Sequence, residues 1–319
     1  MKEQMKLLIG YDGSQFANAA LDDLRRAGLP REAQAIVLTV FEQWLPHAAS
    51  NNVAQPALRK PAPAGATPTG MSAMTSAQPI TQSRALALEA KGRLQAHFPC
   101  WEIKAEESSG SPAREILKKA GDCKSDLIVV GSQGHSGLGR FLLGSVSQKV
   151  ANEAHCSVRV ARGTAWKDGS PVRILLALDG SPCSEAAVDA VSMRMWPPAS
   201  EVRLLTVVDL LSASSAPILP ATPGASGVAR RTWVQEFVDA AAKKLGGVEL
   251  LVSSRIQEGD PKRLIIANAE EWGAECIFVG ASCAQKPFEK FLLGSVATAV
   301  VSRAHCSVEV VRTGADLLV

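Results

Sequence analysis

The chain has 319 residues, of which 46% are hydrophobic and 20% charged, and its formal net charge is +3. This length favours about two domains, each large enough to bury its own core. There is no dense run of lysine or arginine to attract nucleic acid or a membrane surface, and no segment approaches the ~20 apolar residues of a membrane span. The first residues carry charges but no long apolar stretch, so we expect no secretory signal.

Seven cysteines without a Cys-x-x-Cys pair favour reduced thiols over a disulfide framework. We therefore expect a cytoplasmic protein.

The sequence repeats itself, with matching segments in the same order in both halves. Residues 6–14 match 173–181, 37–40 match 204–207, 128–131 match 277–280, 141–146 match 291–296, and 155–158 match 305–308. A repeat unit this long is a domain rather than a short solenoid repeat. We expect two domains, 1–163 and 172–319, joined by a polar linker at 162–171.

In the first half, apolar runs alternate with helical patterns. Residues 7–9 predict a buried strand that ends in Asp-Gly-Ser, and 35–41 predict a second strand. Between them, apolar residues at helical spacing predict a helix that packs on a sheet, namely Phe16, Ala17, Ala20, Leu21 and Leu24. Residues 46–79 are rich in Ala, Pro, Ser and Thr, which favours a mobile insertion.

The rest of the half continues the alternation, and the second half mirrors it. We predict helices at 81–97 and after Ser111-Pro112, and strands at 101–106, 127–130 and 157–160. In the second half the predicted strands are 174–178, 249–255, 276–279 and 307–310, with a helix at 230–245, another after Asp260-Pro261 and a shorter insertion at 212–227. This order indicates an α/β fold with a doubly wound parallel sheet. The short apolar last strands, 157–162 and 307–312, are expected to join the two domains into an intramolecular pseudo-dimer, or two chains into a homodimer.

One loop carries a glycine pattern suited to phosphate. After the strand at 127–130 comes Gly131-x2-Gly134-x9-Gly144-Ser145. Glycines let backbone N–H groups approach phosphate oxygens, and the following helix adds the partial positive charge of its N-terminus. The loop has neither the Gly-Lys-Ser/Thr of a Walker A motif nor the usual Gly-x-Gly-x-x-Gly dinucleotide fingerprint.

This spacing resembles the ATP-binding signature of the universal stress protein family. The order of the Asp-Gly-Ser, Thr-Val, glycine-loop and His-Cys-Ser-Val segments is similar to that family in both halves. The resemblance implies two tandem universal stress protein domains of the adenine-nucleotide α-hydrolase-like fold, each with a five-stranded parallel sheet flanked by helices.

The same resemblance implies where ATP would bind. It puts Asp12 near the ribose and phosphates and Val40 against the adenine through its backbone. Val130 and Gly131 would line the nucleotide, Gly134 and His135 would form the phosphate turn, and Gly144, Ser145, Val146 and Ser147 would hold the phosphates at the start of a helix. Arg140 or His135 would supply positive charge, and the hydroxyls of Ser145 and Ser147 would add hydrogen bonds. Any Mg²⁺ or Mn²⁺ would arrive with the nucleotide.

The second half departs from this pattern at the loop. Cys283 replaces the second glycine, one residue is added, and Pro287 and Glu289 appear. A side chain and a nearby carboxylate both disfavour phosphate, so we expect weak or no ATP binding there. Ser157 and Ser307 stand where the family often has proline, a difference expected to affect local rigidity.

Several residues also have a purely structural interpretation. Glycines in such loops are often only turn formers, and Asp12 and Asp179 could cap the helices that follow them. His155 and His305 precede buried strands and are expected to be structural. The cysteines are expected to be small core residues, with Cys283 the one exposed candidate for redox chemistry.

We expect an ATP-binding stress-response protein in which nucleotide biases conformation or partner binding. No catalytic residue or protein metal site can be named from the sequence, so any ATPase activity should be weak. The alternatives are a slow ATPase or adenylyl-transferring enzyme, and a nucleotide-independent interaction scaffold.

Overall fold

A computed structural model describes residues 4–41, 77–134, 143–163, 169–208, 227–247, 249–282 and 293–313. In the first half the strands are Met5–Gly10 (β1), Ala33–Phe41 (β2), Glu102–Ser109 (β3), Leu127–Gly131 (β4) and Ser157–Ala161 (β5), and the helices are Gln15–Asp23 (α1), Ala77–His97 (α2), Pro112–Cys123 (α3) and Ser145–Glu153 (α4). A 3-10 turn, Leu24–Arg26, extends α1.

The second half repeats this order. Its strands are Arg173–Leu178 (β6), Glu201–Val208 (β7), Leu251–Glu258 (β8), Cys276–Gly280 (β9) and Ser307–Val311 (β10). Its helices are Pro182–Ser192 (α5), Gly227–Gly246 (α6), Pro261–Trp272 (α7) and Ser295–Arg303 (α8). The described residues thus alternate strands and helices, as the sequence predicts.

The ten strands of the described residues form one sheet in the order β3-β2-β1-β4-β5-β10-β9-β6-β7-β8. Neighbours within each half are parallel, whereas β5 and β10 pair antiparallel at the centre. Each half therefore has the expected five-stranded parallel sheet, and the prediction that the last strands join the two halves is confirmed.

The two faces of the sheet are packed differently at the junction. On one face a single apolar core runs through both halves, and it includes Val158 and Val160 of β5 with Val308 and Val310 of β10. On the other face each half has its own core, beneath α1 and α2 or beneath α5 and α6. Successive strand residues point to opposite faces, so Arg159 and Glu309 lie on the face where the two cores are separate.

Some predicted boundaries differ from the structure. The predicted insertion at 46–79 overlaps α2, which begins at Ala77, and its remainder lies outside the described residues. Strand β3 runs to Ser109, beyond the predicted residue 106, since an edge strand tolerates polar residues on its exposed positions. The ends of the predicted linker are anchored: Arg162 is buried, and Ser170 accepts a hydrogen bond from Arg26 at 2.8 Å.

The cysteine predictions were wrong in part. Cys100 is exposed in the turn after α2, and Cys123 and Cys156 are only partly buried, whereas Cys276 and Cys306 are core residues as expected. Cys183 is disulfide-bonded, so the expectation of reduced thiols does not hold throughout. Spacing along a sequence does not show which cysteines the fold brings together.

Candidate functional site

The turn after β1 is fixed by short hydrogen bonds. The Asp12 carboxylate accepts a hydrogen bond from the backbone N–H of Ser14 at 2.9 Å, and Gly13 adopts a positive φ of 79° between them. The Ser14 hydroxyl oxygen then accepts from the N–H of Ala17 at 3.1 Å and so caps α1. The helix cap is therefore Ser14, and Asp12 shapes the turn that precedes it.

Tyr11, at the start of this turn, anchors it to helix α1. Its side chain is buried, and its hydroxyl donates to the Oδ1 of Asn18 at 2.8 Å. Burial, followed by the negative charge of Glu89, raises the pKa of the phenol. Tyr11 thus remains a neutral hydrogen-bond donor at physiological pH.

Strand β4 ends in a close backbone approach. A Cβ placed on Gly131 would lie 2.8 Å from the backbone carbon and oxygen of Phe16, so only glycine lets β4 pack this closely on α1. Three residues on, a Cβ on Gly134 would lie 3.0 Å from Asp12 Oδ2. The β4 loop and the β1 turn therefore face each other across a gap that a side chain would fill.

The start of α4 lies beside the same loop. Gly144 is the N-cap residue, and its N–H donates to the Ser132 carbonyl at 2.8 Å. Ser145 is exposed at the first helical position, while Val146 is half-buried against the core. The first turn of a helix leaves backbone N–H groups without intrahelical partners, which suits an anion.

The Ser147 hydroxyl makes a bond within the protein that was not predicted from the sequence. Its side chain is buried, and its hydroxyl donates to the Gly131 carbonyl at 2.6 Å. This bond ties α4 to the end of β4. In this arrangement Ser147 supports the loop from within, and the exposed Ser145 hydroxyl is the one that faces outward.

The remaining predicted residues lie at the same edge of the sheet or outside the described residues. Val40 is partly buried near the end of β2, and Val130 is buried in β4. His135 and Arg140 fall outside the described residues. Asp12, Gly131 and Gly134, with the start of α4, therefore stand together at the carboxyl edge of the parallel sheet, where open α/β folds bind ligands.

A buried hydroxyl near this edge was not singled out from the sequence. The Oγ1 of Thr39 in β2 is buried and has no hydrogen-bond partner among the described residues. The Oγ1 of Thr206, at the equivalent position in β7, is also buried and without a partner among the described residues. Because both halves share the feature, it does not distinguish the first half as a ligand site.

The second half keeps the scaffold but lacks one support. The Asp179 carboxylate accepts from the N–H of Ser181 at 2.9 Å, and a Cβ on Gly280 would lie 2.7 Å from the backbone of Cys183. Asp179 is thus retained for the turn, in line with the structural interpretation of these aspartates. At the position of Ser147, however, α8 has Ala297, which cannot make the bond to the preceding strand. Cys283, Pro287 and Glu289 lie outside the described residues.

The Nε2 of His305 lies 3.1 Å from the Ala274 carbonyl, in keeping with a structural role, whereas His155 is exposed. Within the described ranges, no group of three or more His, Cys, Asp or Glu residues is placed to hold a metal ion. No helix in the described part of the chain is long and apolar enough to cross a bilayer.

Comparison with known proteins shows two kinds of similarity. A universal stress protein of Mycolicibacterium smegmatis is 30% identical over 232 residues, covering 66% of this chain and 69% of its own length. Universal stress protein MJ0531 of Methanocaldococcus jannaschii is 47% identical over 64 residues, which is 19% of this chain and 38% of that protein. The chain therefore spans well under two thirds of the second relative.

Solved structures agree on the fold. A universal stress protein from Archaeoglobus fulgidus superposes with a TM-score of 0.62 at 21% identity, covering 96% of this chain and 98% of its own. An Arabidopsis thaliana family member solved with AMP bound has a TM-score of 0.32 at 17% identity, which carries no argument for this chain. The model of the Universal stress protein family matches twice, at residues 5–162 and 172–312. The chain therefore belongs to the universal stress protein family, with two such units in tandem.

Proposed function

We propose that this protein binds ATP in its first half and that the bound nucleotide regulates its conformation or its binding of partners. In this proposal residues 1–163 and 172–319 are its two domains. The observation that carries it is the open space between Asp12 and Gly134. A Cβ at position 134 would lie 3.0 Å from the Asp12 carboxylate oxygen and would fill this space. The backbone N–H groups of the first turn of α4, which has no side-chain cap, border the same loop.

The chemistry of this edge suits a nucleotide better than a small apolar ligand. Backbone N–H groups and the exposed Ser145 hydroxyl can donate to phosphate oxygens, and Asp12 can accept from a ribose hydroxyl. The partly buried Val40 offers an apolar surface beside backbone groups that can bind an adenine edge. ATP fits this donor set, and a divalent cation would be held mainly by the phosphates.

One nucleotide per chain is expected. The second half has Ala297 where the first has the Ser147 bond, and its loop sequence replaces the second glycine with Cys283. Fewer supports for the loop and a side chain at the phosphate turn both lower affinity. We infer that the second half serves as a structural partner of the first.

Helix α4 supplies a physical route from the site to the second half. Its first turn borders the proposed site, and near its other end the Ala151 carbonyl accepts a hydrogen bond from Arg312 Nη2 at 2.5 Å. Because Arg312 directly follows β10, a shift of α4 on nucleotide binding would displace Arg312 and the end of β10 in the second half. This connection supports a regulatory binding protein.

A nucleotide-independent scaffold is the second candidate, and the continuous ten-stranded sheet favours it. A slow ATPase or adenylyl-transferring enzyme would need a group to activate water or a nucleophile. ATP turnover that is lost on replacement of Asp12 would favour the enzyme.

The direct test is isothermal titration of the nucleotide-free full chain with Mg-ATP, ADP and AMP. Binding at one site per chain supports the proposal, and the ranking of the three ligands shows how much the terminal phosphates contribute. If none of the three nucleotides binds, the nucleotide-independent scaffold becomes the favoured function. Hydrogen exchange of α8 and β10 with and without ATP tests the regulatory part separately, since it has meaning only if ATP binds.

A further inference from the structure

The two central strands meet about a pseudo-two-fold axis. Residues 155–158 and 305–308 have the same sequence, His-Cys-Ser-Val, so Arg159 and Glu309 occupy equivalent positions in the two halves. In the antiparallel pairing of β5 with β10, Arg159 lies directly opposite Glu309. The axis therefore passes between two residues of opposite charge.

This pair is fully buried within a larger network. Arg159 and Glu309 are each 1% exposed, and Arg159 Nη1 lies 3.2 Å from Glu309 Oε2. The Arg159 Nε also donates to Asp23 Oδ2 at 2.6 Å, and Glu309 pairs with Arg194 on its other side. The signs alternate along the network as Asp23, Arg159, Glu309, Arg194.

The charges are held in place by their surroundings. Burial alone would lower the pKa of Arg159, but the carboxylates of Asp23 and Glu309 outweigh this effect, and the net direction is upward. Removing one member of such a buried set leaves the other without compensation, which is strongly destabilising. The network is therefore stable only when both halves supply their own members.

A symmetric pairing would bring like charges together. If β5 paired with β5 of a second copy in the same register, Arg159 would face Arg159, and in a β10–β10 pairing Glu309 would face Glu309. Two like charges in a buried, low-dielectric position repel, and each would keep only the counter-ion of its own half, Asp23 for Arg159 or Arg194 for Glu309. The structure thus contains an element that opposes self-pairing as well as one that favours the observed pair.

The two serine bonds across the junction do not distinguish the two arrangements. The Arg162 N–H donates to Ser307 Oγ at 2.9 Å, and the equivalent Arg312 N–H donates to Ser157 Oγ at 3.2 Å. These serines, expected to affect only local rigidity, in fact bond across the junction. Because both partners are the same in each half, these bonds could also form in a symmetric pairing.

We propose that the Arg159–Glu309 pair selects the partner of each central strand, directing the first half to an edge strand with a buried carboxylate at its centre and rejecting a second copy of itself. The preferred partner is the second half of the same chain. When β5 cannot pair with β10 of its own chain, the same charge complementarity allows it to pair with β10 of another chain.

The test uses two full-length variants with different affinity tags, Arg159→Glu and Glu309→Arg. Each variant has like charges at its own junction. Arg159→Glu leaves the second half of the chain native, and Glu309→Arg leaves the first half native. Together they can rebuild a native Asp23–Arg159–Glu309–Arg194 network between chains. We expect the mixed variants, refolded together, to be captured with each other more than about tenfold over either variant with a differently tagged copy of itself.

An exposed pair of the same type provides the control. Arg173 of β6 lies opposite Glu201 of β7, with side chains 49% and 37% exposed. The variants Arg173→Glu and Glu201→Arg should show no mutual capture above wild type. If the junction variants capture each other no better than themselves, the pair is only a local stabilising contact and the proposal is wrong.

A neutral double variant keeps the test decisive if the charge reversals fail to fold. Arg159→Met with Glu309→Gln removes both charges, while Asp23 keeps its bond from Ser307 at 2.7 Å and Arg194 keeps its bond to the Ala27 carbonyl at 2.7 Å. The proposal predicts association that rises with concentration in sedimentation velocity, beyond that of wild type. Sedimentation identical to wild type at every concentration would overturn it.

Discussion

The hydroxyl of Ser147 in α4 donates a hydrogen bond to the carbonyl of Gly131 at the end of β4, with 2.6 Å between the oxygens. This bond fixes the start of α4 relative to the strand that precedes the glycine loop. At the equivalent position the second half has Ala297, so the two loops differ in support as well as in sequence.

Replacing Ser147 with alanine should therefore lower both stability and nucleotide affinity. It leaves the buried Gly131 carbonyl without its partner, at a cost of about 1–3 kcal/mol. We expect the free energy of unfolding by urea to fall by about this amount. We expect ATP affinity to fall by about tenfold, which corresponds to a loss of roughly 1.4 kcal/mol on binding.

Ser302→Ala is the matched control, because among the described residues the Ser302 hydroxyl bonds to the Thr298 carbonyl within α8 and to nothing near the site. It should leave ATP affinity unchanged. A Ser147→Ala protein with wild-type stability and affinity would show that this hydroxyl does not support the site.

The close packing of strand ends on helices predicts a second effect, present in both halves. Alanine at Gly131 or Gly280 would place a Cβ 2.8 or 2.7 Å from helix backbone atoms. Each substitution should destabilise the protein by about 1–3 kcal/mol through overpacking. Gly92→Ala is the opposite control: nothing lies within 4 Å of an added Cβ at this exposed position of α2, so it should stabilise the helix by about 0.5–1 kcal/mol. Denaturant unfolding distinguishes these results, and equal effects at all three glycines would contradict the packing argument.

Much of the fold follows from sequence pattern. The apolar runs predict nine of the ten described strands to within a few residues, and the match of 204–207 with 37–40 indicates the position of β7. The Ser-Pro and Asp-Pro pairs predict the starts of α3 and α7. The location of the glycine loop after β4 also follows. These features depend on local order and on a period that one sequence displays directly.

The buried charges could not be predicted in the same way. Asp23, at the end of α1, and Arg159, within an apolar strand, are charged residues that sequence patterns assign to solvent. They are buried because each supplies the partner of the other across 136 positions of sequence. The role of Ser147 was also missed, since a helix-start serine beside a glycine loop predicts a ligand contact as readily as a bond to the preceding strand.

The cysteines should differ in reactivity according to burial. Burial raises the pKa of Cys276 to about 12 and that of the Cys156 thiol to about 11, from 9.0. Alkylation of the native protein at pH 8, followed by mass spectrometry, should therefore modify the exposed Cys100 first and the buried Cys276 and Cys306 last.

The same shifts set the direction of a pH effect. A pKa that is raised in the folded state contributes stability below pH 9 that is lost as the pH rises toward 11 or 12. Labelling of Cys276 should therefore stay slow at pH 9.5 until denaturant is added. Rapid labelling of Cys276 in the native protein would show that the junction opens readily.

The most direct test of the central claim compares one substitution at equivalent positions in the two halves. Gly144 and Gly294 are the N-cap residues of α4 and α8, and both have backbone angles that valine can adopt. At Gly144 an added Cβ would lie 3.2 Å from Gln133 Cα, and at Gly294 it would lie 3.3 Å from Ser282 Cβ. The two substitutions thus perturb their loops to a similar degree.

Calorimetric titration with Mg-ATP should give one site per chain for the wild type and for Gly294→Val, and no detectable site for Gly144→Val. Equal loss of binding in both variants, or retention in both, would contradict the assignment of the nucleotide site to the first half.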